Sequence, residues 1–478
     1  MLRILACLTL ALLVPALAQG EQEVTKEDDC TAPADSAGAY KGVFYDNDFG
    51  YLDDPCLKEA DPRDALSRAS DRLKLMDIAP DLRLSLGGEA RLRYHVEDGI
   101  GLSRLDGKDD EFVLSRIRAY ADIRIADHFR GYVEIVDARK SGGRLPPRGN
   151  EAVRGDVLNG FGEIRVPIGR GQAYVRAGRQ ELLFGKQRFI SPLDWGNTRR
   201  SFDGVRGSYI GHDFELHGWF ANPRVIADRE SLRDTKSDFS GLYGIWTGLP
   251  LHRIELYALN LDRDPQSGAG SNFWTLGTRI DGKEGPFTWE AEFAFQTGTD
   301  RGEDMRASSL SLTAGVDFAK RLPFAPALSL AYDGASGDGD PDDGKARTFN
   351  QLFPLAHAWL GIADLVARQN VEAWSLSLKS RPAEGVRLAV TVHDFALENA
   401  RGALFNSGGV AIRQDTSGDA GRDVGREIDI VAGFSPSRGL DLEIGYSRFL
   451  GGRFVRQTAG AGISENADFF YLQTKIRF

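Results

Sequence analysis

The densest concentration of chemically active side chains lies between Gly178 and Arg206. Its charged members are Arg179, Arg188, Asp194, Arg199, Arg200, Asp203 and Arg206, with several amides and one tryptophan among them. Guanidinium groups form paired hydrogen bonds with carboxylates, so this composition suits an anionic or hydroxyl-rich ligand. An arginine–aspartate network that only holds a loop in place would have the same composition. The residues of this stretch leave both interpretations open.

Runs of alternating apolar and polar residues surround this stretch and indicate the elements that position it. In the run from Leu82 to Val96, leucines and Tyr94 fall on one face while Arg91 and Arg93 fall on the other. Alternation with period two indicates β-strands. We find about 18 such runs, of which the last ends at the aromatic carboxy-terminal residue Phe478.

The lengths of the connections decide between a closed barrel and a soluble sandwich. Short turns such as 126–128 and 210–213 alternate with long connections such as 137–158 and 333–370. Short turns on one side and long loops on the other are the plan of outer-membrane barrels. The predicted fold is therefore all-β, a transmembrane antiparallel barrel with short periplasmic turns and long extracellular loops.

The energetics of a lipid environment predict which face of each strand points inward. An arginine on the lipid face near the bilayer midplane costs about 2–4 kcal/mol, so the charged faces must line the lumen. Among the inward positions of the first two strands are Arg91, Arg93, Arg116, Arg118 and Arg124. A basic wall of this kind would attract and conduct carboxylate-bearing solutes. Ion pairing that only stiffens the barrel is the alternative role for these arginines.

The start of the chain predicts secretion. Residues 1–18 combine Arg3, an apolar run and a small-residue cleavage site, which is typical of a signal peptide. Residues 19–80 are predicted to form a periplasmic segment or a small plug, and residues 81–478 the barrel. Cys30 and Cys56 would lie in an oxidising compartment, where a disulfide closing a loop of about 27 residues adds about 3 kcal/mol. Two unpaired thiols are the alternative.

Charge and motifs exclude several classes of function. Lys and Arg total 59 against 69 Asp and Glu, and the net charge of −10 argues against nucleic acid as a partner. The seven histidines show no metal-binding spacing, and no nucleophile motif is complete, so neither a cofactor nor a metal is expected. We expect no enzyme, although a hydrolase carried by a barrel is a third possibility.

Four stretches carry a resemblance to a known family: Tyr40–Leu52, Leu84–Tyr94, Gly178–Arg206, and Phe349–Pro354 followed by His357, Gly361 and Asp364. The chain resembles the alginate export family of outer-membrane proteins. The resemblance implies a monomeric barrel of 18 strands whose arginine-rich lumen passes a polyuronate outward, with loops closing over the pore. It also implies that the charged residues between Arg179 and Arg206 belong to the substrate path.

The preferred hypothesis is therefore an outer-membrane channel for an anionic polysaccharide, with alginate or a similar polyuronate as the first candidate. The alternative is an uptake porin for small anions or acidic oligosaccharides. The expected partners are the polysaccharide, outer-membrane lipid, the barrel-assembly machinery at the C-terminal strand, and a periplasmic secretion scaffold. Whether the stretch from Gly178 to Arg206 turns into the pore cannot be read from the residues.

Overall fold

The computed structural model describes residues 38–54, 64–101, 103–227, 230–234, 236–265, 269–318, 321–340, 342–459 and 465–478. The predicted signal peptide, Cys30 and Cys56 lie outside the described residues. Residues 50–54 are grouped in a separate structural unit and contain a 3-10 helix, Gly50–Asp53. The second unit contains the barrel and residues 36–49.

Eighteen antiparallel strands form a closed barrel, which confirms the predicted fold. They are β1 Leu82–Asp98, β2 Asp110–Ile125, β3 Phe129–Gly142, β4 Val153–Ile168, β5 Gly171–Gln180, β6 Phe202–Ile210, β7 Phe214–Ala227, β8 Ser237–Trp246, β9 His252–Arg263, β10 Ser271–Glu284, β11 Phe287–Asp300, β12 Glu303–Asp317, β13 Ala327–Ala335, β14 Val371–Ser380, β15 Val386–Ala396, β16 Asp423–Ser437, β17 Leu440–Gly451 and β18 Asn466–Arg477.

The barrel closes between its first and last strands. β1 and β18 pair in antiparallel register from Glu89 opposite Arg477 to Asp98 opposite Asp468. The backbones of Gly88 and Phe478 extend the ladder by exchanging hydrogen bonds of 2.7 and 3.1 Å. An even number of strands permits this closure with every neighbour antiparallel, and closure leaves no unpaired edge in lipid.

The predicted alternation of connection lengths is present. The turns predicted to be short, such as 126–128 and 210–213, join their strands on one side, and the longest loops, residues 336–370 and 397–422, lie on the other. Two connections on the long-loop side are short, because residues 264–270 join β9 to β10 and residues 301–302 form a tight turn between β11 and β12.

The described residues also form short helices and strands outside the 18 barrel strands. They are the 3-10 helices Phe44–Asp46 and Ala356–Ala358, the helices α1 Ala65–Asp71 and α2 Arg453–Thr458, and the short strands Met76–Ala79, Glu230–Arg233, Lys345–Ala346, Leu404–Phe405 and Ala411–Arg413. Within the described parts of the chain, every helix is too short or too polar to span a bilayer.

The period-two pattern assigned the faces of the strands correctly. Leu92 and Ile117 are exposed on the outward face, whereas their neighbours Arg91, Arg93 and Arg116 are buried in the lumen. Outward apolar side chains continue around the barrel, as a band of this kind must in order to contact lipid. The charged side chains of the described residues therefore lie mainly inside the barrel or at its ends.

Replacing Ile117 with arginine is expected to destabilise the barrel by about 2–4 kcal/mol, because the charge would enter the lipid-facing band. The matched control is Leu249→Arg, since Leu249 is exposed in the short turn between β8 and β9 and water can solvate the new charge there. Urea unfolding in lipid vesicles measures both changes. Equal losses of stability for the two variants would contradict the placement of Ile117 against lipid.

Candidate functional site

The loop of residues 181–201, between β5 and β6, turns into the barrel and crosses its interior. We call it the lumenal loop. Asp194 contacts Arg116 on β2, and Arg188 contacts Glu292 on β11. These two strands are nine apart in a barrel of 18, so the loop joins opposite walls. The predicted strands explain where the loop begins and ends, and the inward turn is a finding of the structure.

Three arginines of the first two strands hold one end of the lumenal loop. Arg91 donates to the carbonyls of Asp194 and Gly196 at 2.7 and 3.0 Å. Arg116 donates to the Asp194 carboxylate at 2.7 Å and to Glu89 at 2.6 Å. Arg93 donates to the Trp195 carbonyl at 2.8 Å, and its guanidinium carbon lies 3.7 Å from the centre of the indole ring. These side chains are fully buried, so they anchor the loop.

The other end of the crossing is held by Arg188. Its guanidinium pairs with Glu290 and lies 3.0 Å from Glu292 on β11 and 3.7 Å from Asp333 on β13. Glu290, Glu292 and Asp333 make this wall acidic, and Arg188 of the loop pairs with it. Arg188 also stacks on Trp359, with the guanidinium carbon 3.9 Å from the ring centre.

Arg199 joins the start of the lumenal loop, at Glu181, to Asp194. It pairs with Glu181 and Asp194, and it donates to the Gly42 carbonyl at 2.8 Å. Burial lowers the pKa of Arg199, but the two carboxylates raise it more, so the net direction is upward. Burial raises the pKa of Asp194, yet Arg199 and Arg116 outweigh it and hold the pKa well below its usual range. The pair between Arg199 and Asp194 therefore persists until the pH falls far into the acidic range.

Arg200 is chemically identical to its neighbour but has a different environment. Its guanidinium donates to the carbonyls of Ser191 and Pro354 at 3.1 and 3.4 Å, and no carboxylate of the described residues lies within 4.0 Å of it. Burial lowers the pKa of Arg200 to about 10, so the side chain remains a cation at neutral pH. An arginine held by two carbonyls keeps its full positive charge available to a ligand.

A second loop, residues 336–370 between β13 and β14, lies against the lumenal loop. We call it the long loop. Backbone hydrogen bonds of 2.9 Å join Ser191 to Phe353 and Phe353 to Phe189. The Trp195 indole donates to Asp364 at 2.8 Å, and its ring stacks on His357 with centres 3.5 Å apart. The two loops therefore form one body inside the barrel.

The long loop is fixed to the wall by an acidic pair on β16. The backbone N–H of Ala363 donates to Glu427 at 3.0 Å, and that of Ile362 donates to Asp429 at 3.2 Å. Gly361 has a φ of +87°, and a side chain at this position would overlap the Glu427 carboxylate. The glycine is therefore required both by the backbone conformation and by the close approach to the wall.

The remaining predicted path residues divide into two groups. Arg118 pairs with Glu134 at 2.6 Å, Arg124 lies 3.2 Å from Asp122, and Arg206 contacts His217 at 3.0 Å, all on inward faces. Arg179 and Asp203 bind each other at 2.8 Å on the outward face.

The prediction that Arg179 and Asp203 lie on the substrate path is therefore corrected. Strand alternation places Arg179 with Val175, and Asp203 with Val205, and both valines are exposed on the outside of the barrel. The Asp203 carboxylate also pairs with the Arg224 guanidinium at 3.1 Å. This outward network stabilises the rim of the barrel.

The N-terminal segment, residues 38–49, reaches into the lumen, and a small plug was one of the two alternatives given above for residues 19–80. Phe44 and Tyr45 are buried against inward aromatic rings of β2, β3 and β4, and the Tyr45 hydroxyl donates to the Glu181 carbonyl. The signal available in the sequence was the presence of large aromatic residues, Tyr120 among them, on an otherwise polar inward face.

Comparison with known proteins identifies the family. The sequence matches the alginate export family over residues 82–467, which is most of the chain. The chain belongs to the alginate export family. Members of this family are outer-membrane proteins, and the barrel described above places the chain in the bacterial outer membrane. Both the family and the fold are those of transport channels.

Solved structures support the fold of this alginate export family member. OpdO of Pseudomonas aeruginosa is 13% identical, with a TM-score of 0.58 over 84% of this chain and 98% of that chain. OprD of the same organism is 12% identical, with a TM-score of 0.53 over 83% and 93%. At this identity the likeness shows the fold alone. No curated protein sequence matches the chain significantly. No group of three potential metal ligands occurs in the described residues.

Proposed function

We propose that the protein is an outer-membrane channel for an anionic polysaccharide, with alginate or a similar polyuronate as the first candidate. Membership of the alginate export family supports the polymer class, and the closed barrel supports a channel. The observation that carries the proposal is a set of inward guanidinium groups without a carboxylate partner. Four arginines of the predicted path have no carboxylate of the described residues within 4.0 Å, namely Arg91, Arg93, Arg200 and Arg206.

These four arginines are distributed along the lumenal loop and the walls beside it. Arg91 and Arg93 lie at one wall, Arg200 lies in the loop, and Arg206 lies on β6. Several weak carboxylate sites allow a charged polymer to move from one to the next, whereas one tight site would retain it. The two inward loops are the parts that must move for a polymer to pass, because the lumenal loop crosses the interior and the long loop lies against it.

The same proposal includes a monomeric state and a set of partners. Pairing of the first strand with the last closes the barrel within a single chain. We expect the barrel-assembly machinery to recognise the C-terminal strand and a periplasmic scaffold to deliver the polymer. An uptake porin for small anions is the alternative function, and passage that stops at short oligomers would favour it.

The test is the reversal potential of the purified protein in a planar bilayer under a salt gradient. We expect anion selectivity in the parent and a clear shift toward zero for Arg200→Ala, because that variant removes a charge that no described carboxylate neutralises. Arg200→Lys keeps the charge and should retain most of the selectivity. Arg306→Ala is the control, since Arg306 is exposed and pairs with Asp304 at 3.0 Å. A cation-selective parent would contradict the proposal.

A further inference from the structure

Three inward aromatic rings on consecutive strands form a row on the lumenal wall. Tyr120 on β2 and Tyr132 on β3 stack with ring centres 5.7 Å apart and an angle of 21°. Tyr132 and Phe161 on β4 stack at 5.3 Å and 16°. We call these three rings the aromatic row. It stands on the wall that carries most of the inward arginines, and the family comparison assigns it no role.

Guanidinium groups flank the aromatic row. The Arg176 guanidinium carbon lies 4.2 Å from the centre of the Phe161 ring, and that of Arg130 lies 5.6 Å from the Tyr132 ring. Flat rings beside fixed cations can bind both the apolar face and the carboxylate of a sugar acid. The C–H face of a pyranose packs on an aromatic ring, and its carboxylate is bound by a guanidinium group.

The N-terminal segment now occupies this surface. The Tyr45 ring lies 5.1 Å from Phe161 and 5.7 Å from Tyr132, perpendicular to both. Arg130 donates to the Tyr45 carbonyl at 2.6 Å, and Arg176 covers the Tyr45 ring at 4.3 Å. The segment thus satisfies both chemical elements of the surface, a ring on the aromatic row and an oxygen on an arginine.

The contacts that hold residues 38–49 in the lumen can be broken without unfolding the barrel. Its described residues include one 3-10 turn, Phe44–Asp46, and they pair with no barrel strand. Its hydrogen bonds to the interior include those of Arg130 and Arg199 to backbone carbonyls and that of Tyr45 to Glu181. Withdrawal of the segment would leave every hydrogen bond between barrel strands intact.

We propose that the aromatic row and its flanking arginines form a subsite for uronate rings, which residues 38–49 occupy in the resting protein and vacate when polymer binds. This inference rests on the proposed function and adds the location of the sugar contact and its competitor. Because segment and polymer exclude each other, the apparent affinity for polymer is reduced by the fraction of protein whose subsite is occupied.

The experiment compares block of ion current by a hexauronate in planar bilayers. Tyr45→Ala weakens the competitor, so resting conductance should rise and the blocking concentration should fall several-fold. Phe161→Leu removes a flat ring from the wall, so resting conductance should also rise, while the blocking concentration should increase about tenfold. Phe293→Leu is the matched control, because Phe293 faces outward and is exposed.

Opposite effects of the two variants on block support the inference. Block that is the same in Tyr45→Ala, Phe161→Leu and the parent overturns the inference and leaves the proposed function standing. Weaker block in Tyr45→Ala also overturns the inference, because it would make the segment part of the polymer site. An absence of block in the parent and in Tyr45→Ala overturns the proposed function itself. Phe44→Ala also leaves the wall intact. Like Tyr45→Ala, it should raise the resting conductance and lower the blocking concentration.

Discussion

Replacing Arg116 with alanine is expected to open the channel and destabilise the protein together. The Arg116 guanidinium is fully buried between Glu89 and Asp194, and it also donates to the Gly196 carbonyl at 3.0 Å. Removing one partner of a buried ion pair typically costs about 3–5 kcal/mol, because the remaining carboxylates lose their compensation. The lumenal loop would detach from β2, and single-channel conductance should rise several-fold.

Arg139→Ala is the control for this prediction. Arg139 is on the outward face of β3 and pairs with Asp137 at 2.6 Å in solvent, where an ion pair contributes less than about 1 kcal/mol. Conductance measurements and urea unfolding are made on both variants. If Arg116→Ala changed ion selectivity but left conductance and stability at parental values, Arg116 would be a contact for the permeating ion and the anchoring role would be wrong.

Gly361→Ala is expected to have the second large effect, because it separates the long loop from the acidic pair on β16. The new methyl group would overlap the Glu427 carboxylate, which cannot retreat without losing its hydrogen bonds from Ala363 and Ser447. The positive φ adds a penalty for any residue with a side chain. Together these costs amount to roughly 2–5 kcal/mol, and resting conductance should rise as the loop leaves the wall.

Gly344→Ala separates the two causes. Gly344 has a φ of +73°, similar to that of Gly361, but a methyl group there would meet no atom within 4 Å. This control should lose only about 1–2 kcal/mol and keep the parental conductance. Equal destabilisation by the two variants would show that backbone strain alone matters and that the close approach to Glu427 does not.

The strands of this protein are predictable from its sequence because burial in a barrel alternates with period two. That rule assigned Arg91 and Arg116 to the lumen correctly. Applied to β5 and β6, it also places Arg179 and Asp203 outside, on the side of Val175 and Val205. The family resemblance suggested the opposite for this pair, and the local periodicity was the better guide.

The lumenal loop could not be predicted in the same way, since it has no repeating pattern. Arg199 and Arg200 are adjacent and identical, yet only Arg199 pairs with carboxylates. The difference depends on the backbone, because Arg199 adopts a φ of +63° that is rare for residues other than glycine.

The segment before the barrel shows a related limit. The spacing of Leu66, Leu73 and Met76 predicts a helix from about residue 61 to residue 76, whereas the described helix α1 covers Ala65–Asp71. Leu75 has a φ of +48°, and the chain continues as the short strand Met76–Ala79 paired with β1. Pairing of this short strand with the start of β1 outweighed the local helical pattern. The helical spacing of the segment alone could not indicate this pairing.

The most direct test of the central claim is the passage of oligouronates of increasing length through the purified protein in liposomes, compared with neutral oligosaccharides of the same lengths. Acidic oligomers are expected to cross faster than neutral ones at every length. Arg116→Ala, with its released loop, is expected to extend passage to longer acidic chains. Equal rates for acidic and neutral oligomers, or passage limited to the shortest oligomers in the parent and the variant alike, would contradict a channel for an anionic polysaccharide.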